Sequence, residues 1–269
     1  MADKFLNRDD SPFKNEFWNR IDLTVKNVAI NHLSARKLLY TEGPLGLGLQ
    51  FIPGTEQTIE GENQLTLSVA QHIPLIMLNT GFAISSREIE AFSESGVEIS
   101  PKNLIVETIN ICHKEDNIVF NGIKKKNLPG LLNYPGVERL KLKPWDQIGD
   151  AVEAVLGGIE KLDKAGFHGP YSLALSVQLY NKLFRRYPQG NTLELDHMKQ
   201  LVTDGVIKAA TIPSGGVLLA SGKEYASIIL GQDLVCGFEG PSGKDFIFTL
   251  SESIALRMID PASVCVLES

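Results

Sequence analysis

The stretch 100–133 reads SPKNLIVETINICHKEDNIVFNGIKKKNLPGLLN, and its pattern decides the fold. Ser100 is a good helix N-cap and Pro101 suits the first helical position. Apolar residues follow at helical spacing in two rows, Ile105, Ile109, Cys112, Val119 and Ile123 in one, and Leu104, Ile111 and Ile118 in the other. Such a helix, of about 24 residues and about 36 Å, must be packed on more than one side. We expect a central spine that ends at Asn127, Pro129 and Gly130.

Composition limits the class of protein. The chain has 269 residues, 43% of them hydrophobic, a net charge of −6 and three widely separated cysteines. The acidic balance, with no basic run longer than Lys124–Lys126, argues against nucleic acid as the main partner. An odd number of cysteines favours reduced thiols over a disulfide framework. A polar N-terminus and the lack of any apolar run near 18 residues predict a soluble, cytoplasmic protein with no membrane partner.

The segments before the spine predict a helix and an arm. Ser11-Pro12 opens an amphipathic helix that we expect to run to about Leu39. Residues 45–73 are rich in glycine and alternate in polarity, which predicts a long hairpin with its turn at Gly61-Glu62-Asn63. This arm has too few large apolar residues for a core of its own, so it must lie on something else. A buried strand at 73–84 and a short helix at 86–92 follow.

After the spine, helical and strand patterns alternate. They predict helices at 145–166 and 193–203 and strands at 171–177, 206–210 and 217–220, which together form an inserted α/β unit. Strand-like segments at 225–230 and 246–259 and a short tail strand at 263–267 complete the chain. The sequence therefore predicts a mixed α+β fold.

No catalytic, metal or cofactor site emerges from the motifs. The glycines at 46 and 48 lack the rest of a dinucleotide fingerprint, and no P-loop or nucleophile elbow is present. Cys112 and His113 are adjacent, and adjacent helical residues point about 100° apart, so we interpret them as a buried thiol beside a half-exposed imidazole. Glu115 and Asp116 could act as acid and base, but adjacent carboxylates on a helix are usually solvated or salt-bridged.

Five short strings in register resemble the shell proteins of the encapsulin family, also called linocin-type bacteriocin proteins. They are Arg36-Lys37 with Glu42-Gly43-Pro44, Ile73-Pro74-Leu75-Ile76, Glu115-Asp116 through Leu128-Pro129-Gly130-Leu131-Leu132, Gly169-Pro170-Tyr171, and Leu230-Gly231-Gln232-Asp233-Leu234. The resemblance implies a Hong Kong 97-type phage major capsid fold. The implied divisions are an N-terminal helix and start of the peripheral domain (1–44), an extended loop (45–72), the peripheral domain with its spine (73–132), an axial domain (133–223) and C-terminal peripheral strands (224–269).

The resemblance also implies a function and its residues. About 60 subunits, or a multiple of that number, would form an icosahedral shell around a cargo enzyme, typically a ferritin-like protein or a dye-decolourising peroxidase, for iron storage or oxidative-stress defence. A targeting peptide on the cargo would bind a groove formed by Arg36, Leu38, Tyr40, Asp233 and Leu234. Gly190, Asn191 and Thr192 would line a five-fold pore, and the flanking Arg185 and Arg186 would favour anions.

Two alternatives and one departure accompany this resemblance. A phage or prophage capsid protein would share the fold, and a soluble protease or bacteriocin-like enzyme is the other alternative. The N-terminal helix favours the encapsulin interpretation, because phage capsid proteins usually begin with an arm or scaffold region. Some encapsulins carry a tryptophan that stacks a flavin. Arg87 stands at the matching position here, so we predict no flavin.

Overall fold

The computed structural model describes residues 5–60, 66–95, 102–188 and 190–269. Its helices are α1 (Asn15–His32), α2 (Ala35–Leu38), α3 (Ser86–Ser95), α4 (Lys102–Asn121), α5 (Asp150–Lys164), α6 (Val177–Lys182) and α7 (Glu194–Leu201). Its strands are β1 (Tyr40–Glu42), β2 (Phe51–Glu60), β3 (Thr66–Pro74), β4 (Ile76–Ser85), β5 (Glu138–Lys141), β6 (Tyr171–Leu175), β7 (Gly205–Lys208), β8 (Gly216–Ala220), β9 (Ala226–Ser242), β10 (Asp245–Met258) and β11 (Val264–Glu268). The mixed α+β prediction is confirmed.

Helix α4 is the predicted spine. It has 20 residues and a length of about 30 Å. Leu104, Ile111 and Ile118 of one predicted row are buried, and so are Cys112 and Val119 of the other. The helix contacts α1 on one side and strands β4 and β10 on another. Packing on more than one side is therefore confirmed, while the predicted cap at Ser100 and Pro101 lies outside the described residues.

Two glycines close the end of the spine. Gly122 follows α4 with φ +71°, a left-handed conformation that disfavours other residues. The backbone at Gly130 packs against the backbone at Gly122. The two are so close that a Cβ on Gly130 would lie 2.4 Å from the amide nitrogen of Gly122. This backbone contact is the physical reason for glycine at both ends of the Gly122–Gly130 segment.

Replacement of Gly130 by alanine is expected to lower the free energy of unfolding by about 1–3 kcal/mol, because the new methyl group would force two backbone segments apart. The midpoint of guanidinium unfolding at fixed protein concentration measures the loss. Gly149→Ala is not a suitable control, because Gly149 itself has φ +103°. Gly48 has no positive φ and open space around it, so Gly48→Ala should leave the midpoint unchanged, and equal losses for the two variants would contradict the contact argument.

The first core lies between helices α1 and α4 and a four-stranded sheet with the order β1-β9-β10-β4. Aromatic rings from α1, the segment before it and the sheet contact one another here, namely those of Phe13, Phe17, Trp18, Phe82, Phe238, Phe246 and Phe248. Among the described residues, strands β2 and β3 pair with each other in a separate two-stranded sheet. Phe51, Leu67 and Val69 of this hairpin are at least half exposed, as expected for an arm without its own core. The predicted turn at Gly61-Glu62-Asn63 lies outside the described residues.

The second core belongs to the predicted α/β unit. Its five-stranded sheet has the order β5-β11-β8-β6-β7, and helices α5 and α7 cover it. The division at 224–269 was wrong for its last strand, because β11 pairs with β5 and β8 of this sheet. The cause is burial: Cys265 and Leu267 point into the second core together with Leu162 of α5. The other divisions stay predictions.

Candidate binding site between α1 and β9

The first helix breaks where the site begins. A continuous helix to Leu39 was predicted, but α1 ends at His32 and the short helix α2 starts at Ala35. The buried carboxylate of Asp116, from α4, accepts hydrogen bonds from the amides of Ser34 and Ala35, both at 2.9 Å, and from the Ser34 hydroxyl. Burial raises the pKa of Asp116, and these three donors oppose the rise. The carboxylate satisfies the first amides of α2 and so fixes the break.

The break places Arg36 in a buried cluster of carboxylates. Its guanidinium donates to both oxygens of Glu115, at 2.7 and 2.8 Å, to Glu252 Oε2 at 2.8 Å, and to Asp233 Oδ1 at 2.7 Å. The side chains of Glu115 and Glu252 have 0% exposure, while that of Asp233 has 55%. Burial alone lowers the pKa of Arg36, but its bonds and charge pairing with the carboxylates produce a net rise. The guanidinium therefore stays charged.

One cation faces three carboxylates, which favours a proton on Glu252. Burial raises the pKa of Glu252 well above its ordinary value, and the charge of Glu115 raises it further. Two ionised carboxylates cannot hydrogen bond to each other, and the buried Glu252 Oε1 has no partner as an acceptor. A proton on Glu252 lets it donate to Glu115. The cluster is then a neutral acid, an ion pair and one exposed carboxylate.

Replacement of Glu252 by glutamine is expected to flatten the dependence of stability on pH. Because the folded pKa of Glu252 is raised, its contribution is complete below the unfolded pKa and is lost as pH rises through the folded pKa. Glutamine keeps the neutral, donating form at every pH. Guanidinium unfolding from pH 5 to 9 should show a smaller decline for Glu252→Gln, whereas Glu160→Gln, at a largely exposed site, should behave like the native chain. Parallel curves for all three proteins would contradict the protonated state.

A cavity of about 610 Å³ opens beside this cluster, between α1, α2 and β9. Its apolar lining comes from Val25, Ala29, Ile30, Leu33, Leu234 and Val235, and its charged lining from Arg8, Asp22, Lys26, Arg36, Lys37 and Asp233. Val25, Ala29 and Leu33 are buried beneath it, and Ile30 stands at its edge with 56% exposure. The cavity therefore combines an apolar floor with a charged rim.

Three of the five residues predicted for the groove meet in this cavity, namely Arg36, Asp233 and Leu234. Leu38 does not line it, because its side chain points into the first core with 3% exposure. Tyr40 is exposed in β1 and lines, with Leu38, a smaller cavity of about 370 Å³ next to Pro170 and Ser221. Sequence reasoning placed the groove beside the N-terminal helix but named neither the α1 residues that line it nor Glu252. The four-residue spacing of Val25, Ala29 and Leu33 could have indicated the α1 residues, but nothing in the sequence marks Glu252.

The loop predicted to line a pore is tied together by its own polar groups. The amide of Tyr187 donates to the carbonyl of Thr192, and Arg186 Nη1 donates to Asn191 Oδ1 at 2.6 Å. Gly190 and Asn191 are exposed, and Thr192 is partly buried. Arg185 binds the buried Glu194 at 2.8 Å and the carbonyls of Trp145, Asp146 and Gln147. Arg185 thus anchors the loop, which leaves Arg186 as the exposed cation of this pair.

The side chains weighed for chemistry have structural partners. Glu115 and Asp116 are salt-bridged and hydrogen-bonded rather than solvated. Burial raises the pKa of Cys112 to about 12, and nearby carboxylates add to the rise, so its thiol is a poor nucleophile. His113 is exposed next to it, and Arg87 is exposed in the first turn of α3. Within the described ranges, no three histidine, cysteine, aspartate or glutamate side chains are grouped to hold a metal ion. None of the helices in these ranges has the length and hydropathy needed to cross a bilayer.

Comparisons with known proteins identify the family. The family model Linocin M18, described as encapsulating protein for peroxidase, matches residues 3–255. The chain belongs to this family. It is 28% identical over 278 residues to the type 1 encapsulin shell protein EncA of Myxococcus xanthus, an alignment that covers 98% of this chain and 96% of the relative.

Solved structures agree on the fold. A virus-like particle chain from Pyrococcus furiosus superposes with a TM-score of 0.72 and 21% identity, covering 94% of this chain and 100% of that chain. The capsid of Myoviridae phage XM1 gives a TM-score of 0.60 and 13% identity, with coverages of 87% and 90%. The fold is therefore that of encapsulins and Hong Kong 97-type capsids. The phage likeness extends to the fold alone, and the chain is an encapsulin shell protein with a structural role, not an enzyme.

Proposed function

We propose that about 60 copies of this chain form a closed icosahedral shell in the cytoplasm and enclose a cargo enzyme. The family description, encapsulating protein for peroxidase, supports a peroxidase as cargo and oxidative-stress defence as the role. In a closed symmetric shell each contact is repeated many times, so modest interfaces between subunits stabilise the whole particle.

The observation that carries the cargo proposal is the cavity between α1 and β9. It has an apolar floor, an arginine fixed by buried carboxylates and an open rim, which suits a short peptide better than a folded domain. A cargo enzyme with a targeting peptide would bind here through Ile30, Leu33, Arg36, Asp233 and Leu234. The exposed loop at Gly190, Asn191 and Thr192 would line the five-fold pore, with Arg186 beside it to favour small anions.

Replacement of Ile30 by tryptophan is expected to empty the shell without disrupting it. Ile30 is largely exposed at the cavity edge, so the larger ring would fill space that the cargo peptide needs. Particles purified from native cells should keep a mass of about 1.8 MDa, from about 60 subunits of 29.5 kDa, and should contain at least about tenfold less protease-protected peroxidase by quantitative mass spectrometry.

Leu23→Trp is the matched control, since Leu23 is equally exposed on α1 and does not line the cavity. Its particles should carry cargo at the native level. Elution of the native chain only as monomers or dimers would contradict the shell, and full cargo in the Ile30→Trp particles would contradict the binding site.

A further inference from the structure

Two histidines from distant parts of the chain lie side by side at the surface. His32 is the last residue of α1, and His113 lies in the second half of α4. Their ring centroids are 6.2 Å apart, with 41° between the ring planes, and both side chains are exposed. No spacing in the sequence indicates this pair, because only the packing of α1 on α4 brings the two rings together.

Two buried contacts next to the pair hold its backbone positions. The carboxylate of Asp116, one turn after the α4 histidine, accepts the amide of Ser34 at 2.9 Å, just after the α1 histidine. Leu33 and Cys112, the immediate neighbours of the two histidines, belong to one buried cluster. The distance between the two histidine backbones is therefore set by the fold, and the rings need only turn about their own side-chain bonds.

Two exposed imidazoles at this separation suit a transition-metal ion. Imidazole nitrogen binds Cu²⁺, Ni²⁺ and Zn²⁺ well, at about 2.0–2.1 Å for zinc. Two imidazoles on one tetrahedral ion have ring centroids about 5 Å apart, so a movement of about 1 Å by two exposed side chains closes the pair. In the described ranges no third histidine, cysteine, aspartate or glutamate completes such a group, so water supplies the other ligands.

The groups next to the pair leave the imidazoles as the ligands. The thiol of Cys112 has 0% exposure, and Asp116 uses its buried oxygens to accept three hydrogen bonds. Lys37 adds a positive charge on the α1 side, where its Nζ donates to the carbonyl of Asn31 at 3.4 Å, and the carboxylate of Asp116 offsets it on the α4 side. Neither ring has a hydrogen-bond partner in the part of the chain that the structure describes. Their nitrogens are therefore available to an ion from solvent.

We propose that His32 and His113 bind a divalent ion of the copper, nickel and zinc class, which ties the end of α1 to the spine. Both ligands belong to one chain, so the site depends neither on the shell nor on its cargo. The ion would add a link beside the junction of α1 and α2, and it would stabilise the folded subunit wherever the free metal exceeds its dissociation constant.

Electron paramagnetic resonance of Cu²⁺ added to assembled particles of the full chain tests the ligands. Cu²⁺ is the probe because it binds imidazole most tightly among these ions. One equivalent per chain should give a spectrum split by two nitrogen nuclei. His32→Gln and His113→Gln should each weaken binding by at least about tenfold in a titration. His168→Gln is the matched control, since His168 is 74% exposed far along the chain and faces only Asp163, so it should bind like the native chain.

Hydrogen exchange tests the tie between the helices. Ni²⁺, which does not oxidise the free cysteines, should slow exchange of the amides in the last turn of α1 in the native particles but not in His32→Gln particles. A spectrum split by one nitrogen, or equal Cu²⁺ affinity in His32→Gln and His168→Gln, would indicate an adventitious ion only and overturn the site. Binding through both rings without slower exchange would overturn the tie. Shell assembly and cargo content are measured separately, so either failure leaves the proposed function standing.

Discussion

Arg36→Met lowers the free energy of unfolding by about 3–5 kcal/mol in our expectation, the largest effect among the substitutions considered. The methionine fills similar space but leaves Glu115 and Glu252 buried without a cation. Burial of an unpaired charge costs far more than the loss of an exposed ion pair. Guanidinium unfolding followed by the fluorescence of Trp18 and Trp145, which are buried in the two cores, measures the loss. Protein concentration is held constant, because assembly stabilises the folded subunit.

Two variants show that the loss comes from the buried carboxylates. Arg139→Met removes an exposed ion pair with Glu268 and should cost less than about 1 kcal/mol. Addition of Glu115→Gln to Arg36→Met removes the orphaned charge and should recover part of the loss. If Arg36→Met unfolds at the same denaturant concentration as Arg139→Met, the cluster does not stabilise the fold.

Asp116→Ala is expected to cost about 3 kcal/mol, the second-largest effect. Its carboxylate accepts two backbone amides and one hydroxyl, all buried at the junction of α1 and α2. Alanine leaves these donors without an acceptor, and each buried donor without a partner is destabilising. The loss also frees the segment that carries Arg36. Shells of the Asp116→Ala variant should therefore bind less cargo and unfold at a lower denaturant concentration.

Two other variants separate the role of the Asp116 carboxylate from that of its neighbours. Asp146→Ala removes a carboxylate with 78% exposure and should shift the unfolding midpoint little. Ser34→Ala removes only the hydroxyl donor, so it should cost clearly less than Asp116→Ala. Equal losses for Ser34→Ala and Asp116→Ala would indicate that the backbone amides at Ser34 and Ala35 do not depend on the carboxylate.

Local periodicity was sufficient to predict the elements that dominate the fold. The two apolar rows of α4 predicted a helix packed on several sides, and the alternation in residues 45–73 predicted the hairpin. Both signals arise from neighbours in sequence, since side-chain direction repeats every 3.6 residues in a helix and every two in a strand. The Glu115-Asp116 pair was interpreted as solvated or salt-bridged. Glu115 is salt-bridged to Arg36, while Asp116 is buried and held by hydrogen bonds from Ser34 and Ala35.

Features that depend on distant partners were not predictable. The end of α1 is set by Asp116, 82 residues away from Ser34. Glu252 lies between two serines of β10 and gives no local sign that it faces Arg36. Arg185 was predicted to act on anions at a pore, yet the carbonyls and the glutamate it binds come from separate parts of the chain. The tail strand β11 belongs to the second sheet, and this pairing was not predictable because its partner β8 lies more than forty residues earlier in the chain.

A cryo-electron microscopy reconstruction of native particles purified with their cargo tests the central claim most directly. We predict an icosahedral shell in which the cavity between α1 and β9 opens to the interior and holds an extended segment that does not belong to the shell chain. Its side chains should reach the apolar floor formed by Val25, Ala29 and Leu33. An open oligomer, a cavity that faces the exterior, or a cargo-filled shell with this cavity empty would contradict the account.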